Sequence, residues 1–557
     1  MSDPHAPSPN APSPRERAAP RVLMVGSDHL AFRILEQLRH DGCDITLVAL
    51  EGSWLSSIAL PAGVRAISGS IEAPEFLEAA GLETAEILFV VTDRDELNLG
   101  VALAALEVNS SLRVVLRQFN TRLGRLVAKD LPQCHVLSMS ALSATTFALA
   151  ALTPGVVFAH DFGKQTLVLR EVSSEDGAER SGSHRPAGAP APMVVAAWSE
   201  GRVTWFPTGA EPMPGARLLV AGGEQGLPPY PRVGAPARAA RRGPVDWRHH
   251  RLLIWVLGYI AFVILAGATY FAVRLGMSPL DAVYFVITII TSVGFGDFSL
   301  READALSKLV GMAIMVSGVM MTAVLFAFVT NSLIARQHAL DHGQTTLRLE
   351  DHVVVCGLGV IGFRVAQALR RMGEAVVVIE ADEAGRFVAA ARGEGIPVVA
   401  GDALQEKSLL YANAARAKAL VVCTNPDYMN LEIALHVRSL FPNLPIVLRL
   451  FDPDLSRRVA KSFHLETTFS SAALVAFRFA AFATDPTKLA RLRFHGADFE
   501  VRQTAASGET VGFCCRRSGG RAIAVVDRRG ELRFAPRDDE RVGEGETLIL
   551  VVFEDEG

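Results

Sequence analysis

Hydrophobic positions are unevenly distributed along this chain. Residues 252–273 form a charge-free apolar run, and residues 309–335 form a second. Each exceeds the ~20 residues that a helix needs to cross a hydrocarbon core about 30 Å thick. Residues 282–296, between them, also lack charge, but this stretch is shorter and ends rich in glycine. It reads as a re-entrant segment, which membranes tolerate where it lines a cavity. Outside this region the pattern changes to short apolar strands alternating with amphipathic helices. A strand is predicted at 352–356, then a glycine turn, an amphipathic helix and a second strand at 375–379. The N-terminal flank opens in the same way. Such βαβ openings predict doubly wound parallel sheets. Each is followed by a shorter strand-rich segment, with strands predicted at 499–503, 522–527 and 547–553 in the second.

The two flanks are copies of one unit. VTDRDELN at 91–98 matches CTNPDYMN at 423–430, and VVLRQFN at 114–120 matches IVLRLFD at 446–452. Asn98 and Asn430, Arg117 and Arg449, and Lys129 and Lys461 are each 332 positions apart. Coincidences at one offset point to duplication. DFGKQTLVLRE at 161–171 likewise echoes FHGADFEVRQT at 494–504, and 178–192 is a Gly/Pro/Ser-rich surface insert. The expected layout is a tail at 1–20, a Rossmann-like lobe at 21–150 and a small α+β lobe at 151–228. A basic linker at 229–250, a membrane module at 251–335 and a linker at 336–350 follow. A second Rossmann-like lobe at 351–487 and a second small lobe at 488–557 complete the chain.

Composition adds limits. Half of the 557 residues are hydrophobic, 20% are charged, and mean hydropathy is +0.27. That excludes a disordered charged chain and calls for a lipid-embedded part. The net charge of −4 gives no global basic excess, so no nucleic-acid partner is expected. Six scattered cysteines exclude a disulfide-built scaffold. Arg232, Arg238, Arg241, Arg242, Arg248 and Arg251 precede the first span, and Arg336 and Arg348 follow the second. Only Arg274, Arg301 and Lys308 lie between. This bias predicts two spans of a cell (inner) membrane with both termini cytoplasmic, and the N-terminus shows no secretory signal.

The second copy carries Gly357-Leu358-Gly359-Val360-Ile361-Gly362 between strand and helix, with Glu380 ending the next strand. Gly357 permits a tight turn, Gly359 lets the backbone approach a pyrophosphate, and Gly362 lets helix pack on strand. Glu380 is placed to accept from a ribose diol. The first copy reads Gly26-Ser27-Asp28-His29-Leu30-Ala31, and the acid after its second strand is shifted or lost. A carboxylate at the second glycine position repels a pyrophosphate. The first copy is therefore read as structural, the alternative being that Asp28 with Asp93 or Asp95 binds a cation.

The segment between the spans resembles the pore helix and selectivity filter of the potassium channel superfamily, whose signature is T-V-G-Y-G. Here Thr291, Ser292, Val293, Gly294, Phe295, Gly296 and Asp297 occupy it. The resemblance implies a homotetramer in which backbone carbonyls of Ser292, Val293, Gly294 and Phe295 replace the water shell of K⁺. Alternate residues must then adopt conformations that glycine accepts. Val293 and Phe295 are expected to brace the loop against the pore helix, without the hydroxyl of the usual Tyr. Gly318 matches a gating hinge of the family, or else serves helix packing.

The flanks resemble regulator of K⁺ conductance (RCK) domains, the NAD-binding-like modules of that superfamily. The resemblance adds Ala381, Asp402, Ala403 and Arg449 to the glycine turn and Glu380 as nucleotide-binding positions. It implies a ligand-gated potassium channel, not an enzyme, with eight RCK lobes per tetramer. The effector would be NAD(H), an adenine nucleotide or a divalent cation. A nonselective cation channel and a membrane-anchored NAD-dependent enzyme are the alternatives.

Overall fold

The computed structural model describes residues 19–69, 74–163, 165–175, 192–206, 215–224, 227, 230, 247–341, 349–463, 465, 467–505 and 508–553. Most of the expected tail, of the 178–192 insert and of the 229–250 linker, and residues 342–348 of the second linker, lie outside the described residues. The chain divides into two units, residues 234–345 and the remainder.

The larger unit contains two six-stranded parallel sheets. From edge to edge the first runs Arg65–Gly69, Asp44–Leu50, Arg21–Gly26, Ile87–Val90, Arg113–Arg117, Cys134–Leu137. The second runs Val398–Ala400, Val376–Glu380, Val353–Cys356, Ala419–Val422, Ile446–Leu450, Thr468–Ser470. In both, the order reverses beside the first strand, which opens a crevice at the carboxyl ends of the strands. The central strands are Val/Ile/Leu runs because helices cover both faces. Val353–Cys356 and Ala419–Val422 are buried at every position.

The residues that revealed the duplication close the strand ends. Asn98 accepts from Thr92 and donates to the Thr92 and Arg117 carbonyls. Asn430 makes the same bonds to Thr424 and Arg449. Asp95 accepts from the Phe119 and Asn120 amides, and Asp427 from those of Phe451 and Asp452. Buried main-chain groups need such partners, so both copies retain them.

Each sheet is followed by a five-stranded antiparallel lobe. The second is built from Lys488–Phe494, Ala497–Ala505, Thr547–Phe553, Gly520–Val526 and Leu532–Phe534, close to the predicted strands. The copies pack on each other reciprocally. Helix His29–His40 of the first lies on Ser471–Thr484 of the second, and Val360–Arg371 of the second lies on Met139–Leu152 of the first. Leu30, Ile34, Leu38, Val475 and Phe479 join one core. Ser471–Thr484 is alanine-rich and apolar nearly all round because it is covered on more than one side. The small lobes share a second core, where Trp205 stands 4.5 Å from Phe553 and 5.4 Å from Phe499.

The smaller unit contains helices Trp247–Leu275, Pro279–Ile290 and Ala305–Asp341. The long helices enclose both expected spans. Its core is Ala268, Phe271, Ala282, Phe285, Val286, Ile289, Ile290 and Ile314. Among the described residues, most of the long helices' apolar surface is exposed. Trp255, Phe262 and Phe326 are 75%, 65% and 74% exposed, which requires lipid or other chains around them.

Candidate functional sites: a filter loop and a glycine turn

In the smaller unit, Ser278 caps Pro279–Ile290 through the Asp281 amide, with Pro279 at the first turn. The helix ends at Thr291, and the chain turns sharply. Ser292, Gly294 and Gly296 have φ of +59°, +47° and +83°, while Val293 and Phe295 between them do not enter the left-handed region. Alternation between hands turns successive carbonyls toward one side, where an ordinary strand would alternate them. Nothing lies within 4 Å of where a Cβ would stand on Gly294 or Gly296. Glycine is therefore required by conformation rather than by space. Ser292 holds the same conformation with a side chain, at a cost of roughly 1–2 kcal/mol.

The amides of Val293 and Gly294 both donate to the Thr288 carbonyl, at 3.0 and 3.2 Å, and the Thr291 hydroxyl donates to the Ile287 carbonyl at 2.8 Å. Asp297 accepts from the Phe298 amide at 3.1 Å. Within the single chain, Val293 and Phe295 are 53% and 71% exposed. The chain ties the loop through its main chain and leaves these side chains uncovered.

Gly318 lies within the unbroken helix Ala305–Asp341. A Cβ there would stand 2.8 Å from both Cα and the carbonyl oxygen of Ile290. Its place is a close contact with the end of the pore helix, which favours the packing reading.

In the larger unit, Gly357 has φ +94°, and a Cβ there would meet Thr424 at 2.7 Å. A Cβ on Gly362 would stand 2.0 Å from the Gly357 carbonyl. Gly359 is exposed, with nothing within 4 Å, and begins helix Val360–Arg371 with no side-chain cap. The first-turn amides therefore face an open space at the crevice, as an anion site requires. Glu380 accepts from the Leu358 amide at 2.5 Å and the Asp382 amide at 3.0 Å. Its oxygens keep further acceptor capacity for a diol.

Other expected residues act mainly through the backbone. Leu358 and Ile361 are buried in one core and Ala403 in another, while Val360 is half-buried and Ala381 is exposed. Asp402 is engaged by the Leu404 amide at 2.9 Å. Arg449 is buried, donates to Ser471, Asn425 and the Thr424 carbonyl, and lies 4.1 Å above the Phe451 ring. The uncapped helix start at Gly359 and the Glu380 carboxylate are the donor and acceptor types that a nucleotide's phosphates and ribose would need.

The first copy differs. Asp28 Oδ1 accepts from the Leu30 and Ala31 amides at 3.0 and 3.3 Å, and Oδ2 accepts from Arg117 Nη1 at 2.6 Å. Asp93 accepts from the Ser27 hydroxyl, and Asp95 is engaged by amides. The three carboxylates face donors, which corrects the alternative reading of a cation site there. Among the described residues no group of three or more His, Cys, Asp or Glu side chains is placed to hold a metal. Val25 pairs with Val48 and Gly26 with Ala49, while Cys356 pairs with Ile379, one position before Glu380, so Ala49 stands at the place of Glu380 in the first copy.

A two-helix pore module joined to two nucleotide-fold domains defines the class. The TrkA-N domain model matches residues 22–132 and 353–467, and the ion channel model matches 258–335. The chain belongs to the potassium channel superfamily, with RCK (TrkA-N) domains before and after the pore, and is an integral membrane protein. Potassium channel protein 1 of Methanocaldococcus jannaschii is 24% identical over 192 residues, 34% of this chain and 57% of that protein. The voltage-gated potassium channel Kch of Escherichia coli is 23% identical over 209 residues, 35% of this chain and 50% of that protein. This chain spans under two thirds of the length of each of these relatives, and 30% of an uncharacterized Methanothermus fervidus protein at 28% identity. Among solved structures, a GsuK channel bound to NAD aligns over 99% of this chain and 79% of its own. The identity is 14% and the TM-score 0.47.

Proposed function

We propose that four chains form a potassium channel in the cell (inner) membrane, with both termini cytoplasmic, and that a nucleotide at the second RCK copy controls it. The observation that carries the pore reading is the left-handed alternation at Ser292, Gly294 and Gly296 between two spanning helices. Relatives named as potassium channels support it. Four copies of the loop surround one axis, and their carbonyls replace the ion's water shell. The uncovered Val293 and Phe295 side chains then meet neighbouring subunits.

The control reading rests on the open helix start at Gly359 and on Glu380 at the crevice. A bound nucleotide supplies phosphates and a ribose. The chain supplies the amides after Gly359, the Glu380 carboxylate and the Arg449 charge. The nucleotide shifts the gate only by as much as its affinity differs between the closed and open arrangements.

Reconstitution in liposomes tests both readings. K⁺/Na⁺ reversal potentials should report K⁺ selectivity, and G294A should abolish flux by straining the filter. E380A should leave conductance intact and weaken the response to ADP or NAD about tenfold or more, ~1.4 kcal/mol. Equal Na⁺ and K⁺ permeability would replace the selective reading with a nonselective cation channel. Unchanged nucleotide response in E380A would remove the control reading.

A further inference from the structure

We infer that Asp28 is a tethered anion. Its carboxylate holds the first RCK copy in the arrangement that a phosphate-bearing effector produces in the second. Each chain then has one responsive copy and one permanently self-liganded copy. The inference rests on the nucleotide reading of the second copy.

Asp28 and Gly359 occupy the same place, two residues after the turn glycines Gly26 and Gly357 and at the start of equivalent helices. A helix cap needs one oxygen, and Asp28 Oδ1 serves that purpose. Oδ2 does something a cap does not require. It reaches Arg117 at 2.6 Å, which ends a strand across the order reversal and lies 89 positions further along the chain. One carboxylate thus joins the helix start to the far side of the crevice. An effector phosphate would bridge the same two elements in the second copy.

There the charges are complementary in the opposite sense. Gly359 supplies no anion and no cap. Arg449, the counterpart of Arg117, is 5% exposed and uses Ser471, Asn425 and a carbonyl in place of a carboxylate. The ribose side of the first copy is also closed. Ala49 replaces the acid, and the buried Leu55 would lie 3.4 Å from a Cβ on Gly26. The first copy has the anion without the nucleotide, and the second has the cradle without the anion.

Thermal unfolding of the full-length chain in nanodiscs, with and without inorganic pyrophosphate, tests this. D28S retains a hydroxyl that caps the helix but removes the charge, and it should melt below the wild type by a few degrees. Pyrophosphate should raise the melting temperature of D28G more than that of the wild type, and D28G/R117Q should lose the extra shift. G359D places the carboxylate opposite Arg449. ADP should no longer shift its melting temperature, and its open probability should sit at the value saturating ADP gives the wild type. Wild-type stability in D28S, together with no extra pyrophosphate shift in D28G, would overturn the inference and leave a helix cap. Failure of ADP to shift the wild type would instead remove the nucleotide reading, while the Asp28 variants still judge the tether.

Discussion

Single side chains set both sites and the acid limit of the fold. His160 packs between Phe158 and Phe162 at 6.2 and 4.9 Å, and burial lowers its pKa to about 4. The folded chain therefore keeps the ring neutral while the unfolded chain takes up a proton near pH 6.5. Stability should fall as pH drops from about 6.5 to about 4, by up to ~3 kcal/mol. Denaturant midpoints across that range should show a flatter acid limb in His160→Gln. Asn430 is a second case. Its amide satisfies buried main-chain groups from two strands. Asn430→Ala should cost about 2–3 kcal/mol, read as a lower unfolding midpoint. At this scale the glycines and Glu380 were legible because their spacing encodes a turn. The Asp28–Arg117 pair was not, because its partners lie 89 positions apart.

Elements were more legible than their contacts. The 547–553 strand and the strand after the glycine turn follow from apolar runs between turn residues, and both are present. The two spans follow from length alone. What covers an element was hidden. Ser471–Thr484 reads as an ordinary core helix, and nothing in its Ala/Phe pattern states that part of its cover comes from the other copy. Gly318 illustrates the same limit. The sequence allows a hinge or a contact, and distance to Ile290 separates them. Gly318→Ala should overpack that contact by about 1–3 kcal/mol and lower the melting temperature of the assembled channel. A hinge alone predicts unchanged stability with altered gating.

At the scale of the molecule, the two RCK copies form one body although the membrane segment separates them in the chain. The apolar face of His29–His40, with Leu30, Ile34, Leu35 and Leu38 buried, is covered by a helix more than 400 positions later. During synthesis that face stays bare while both spans enter the membrane, until residue 484 has left the ribosome. Contacts of such sequence separation form late and expose nascent chains to aggregation. The order of translation therefore sets when the two copies can close on each other, and the nascent N-terminal copy should aggregate more readily than the full chain when it is made alone.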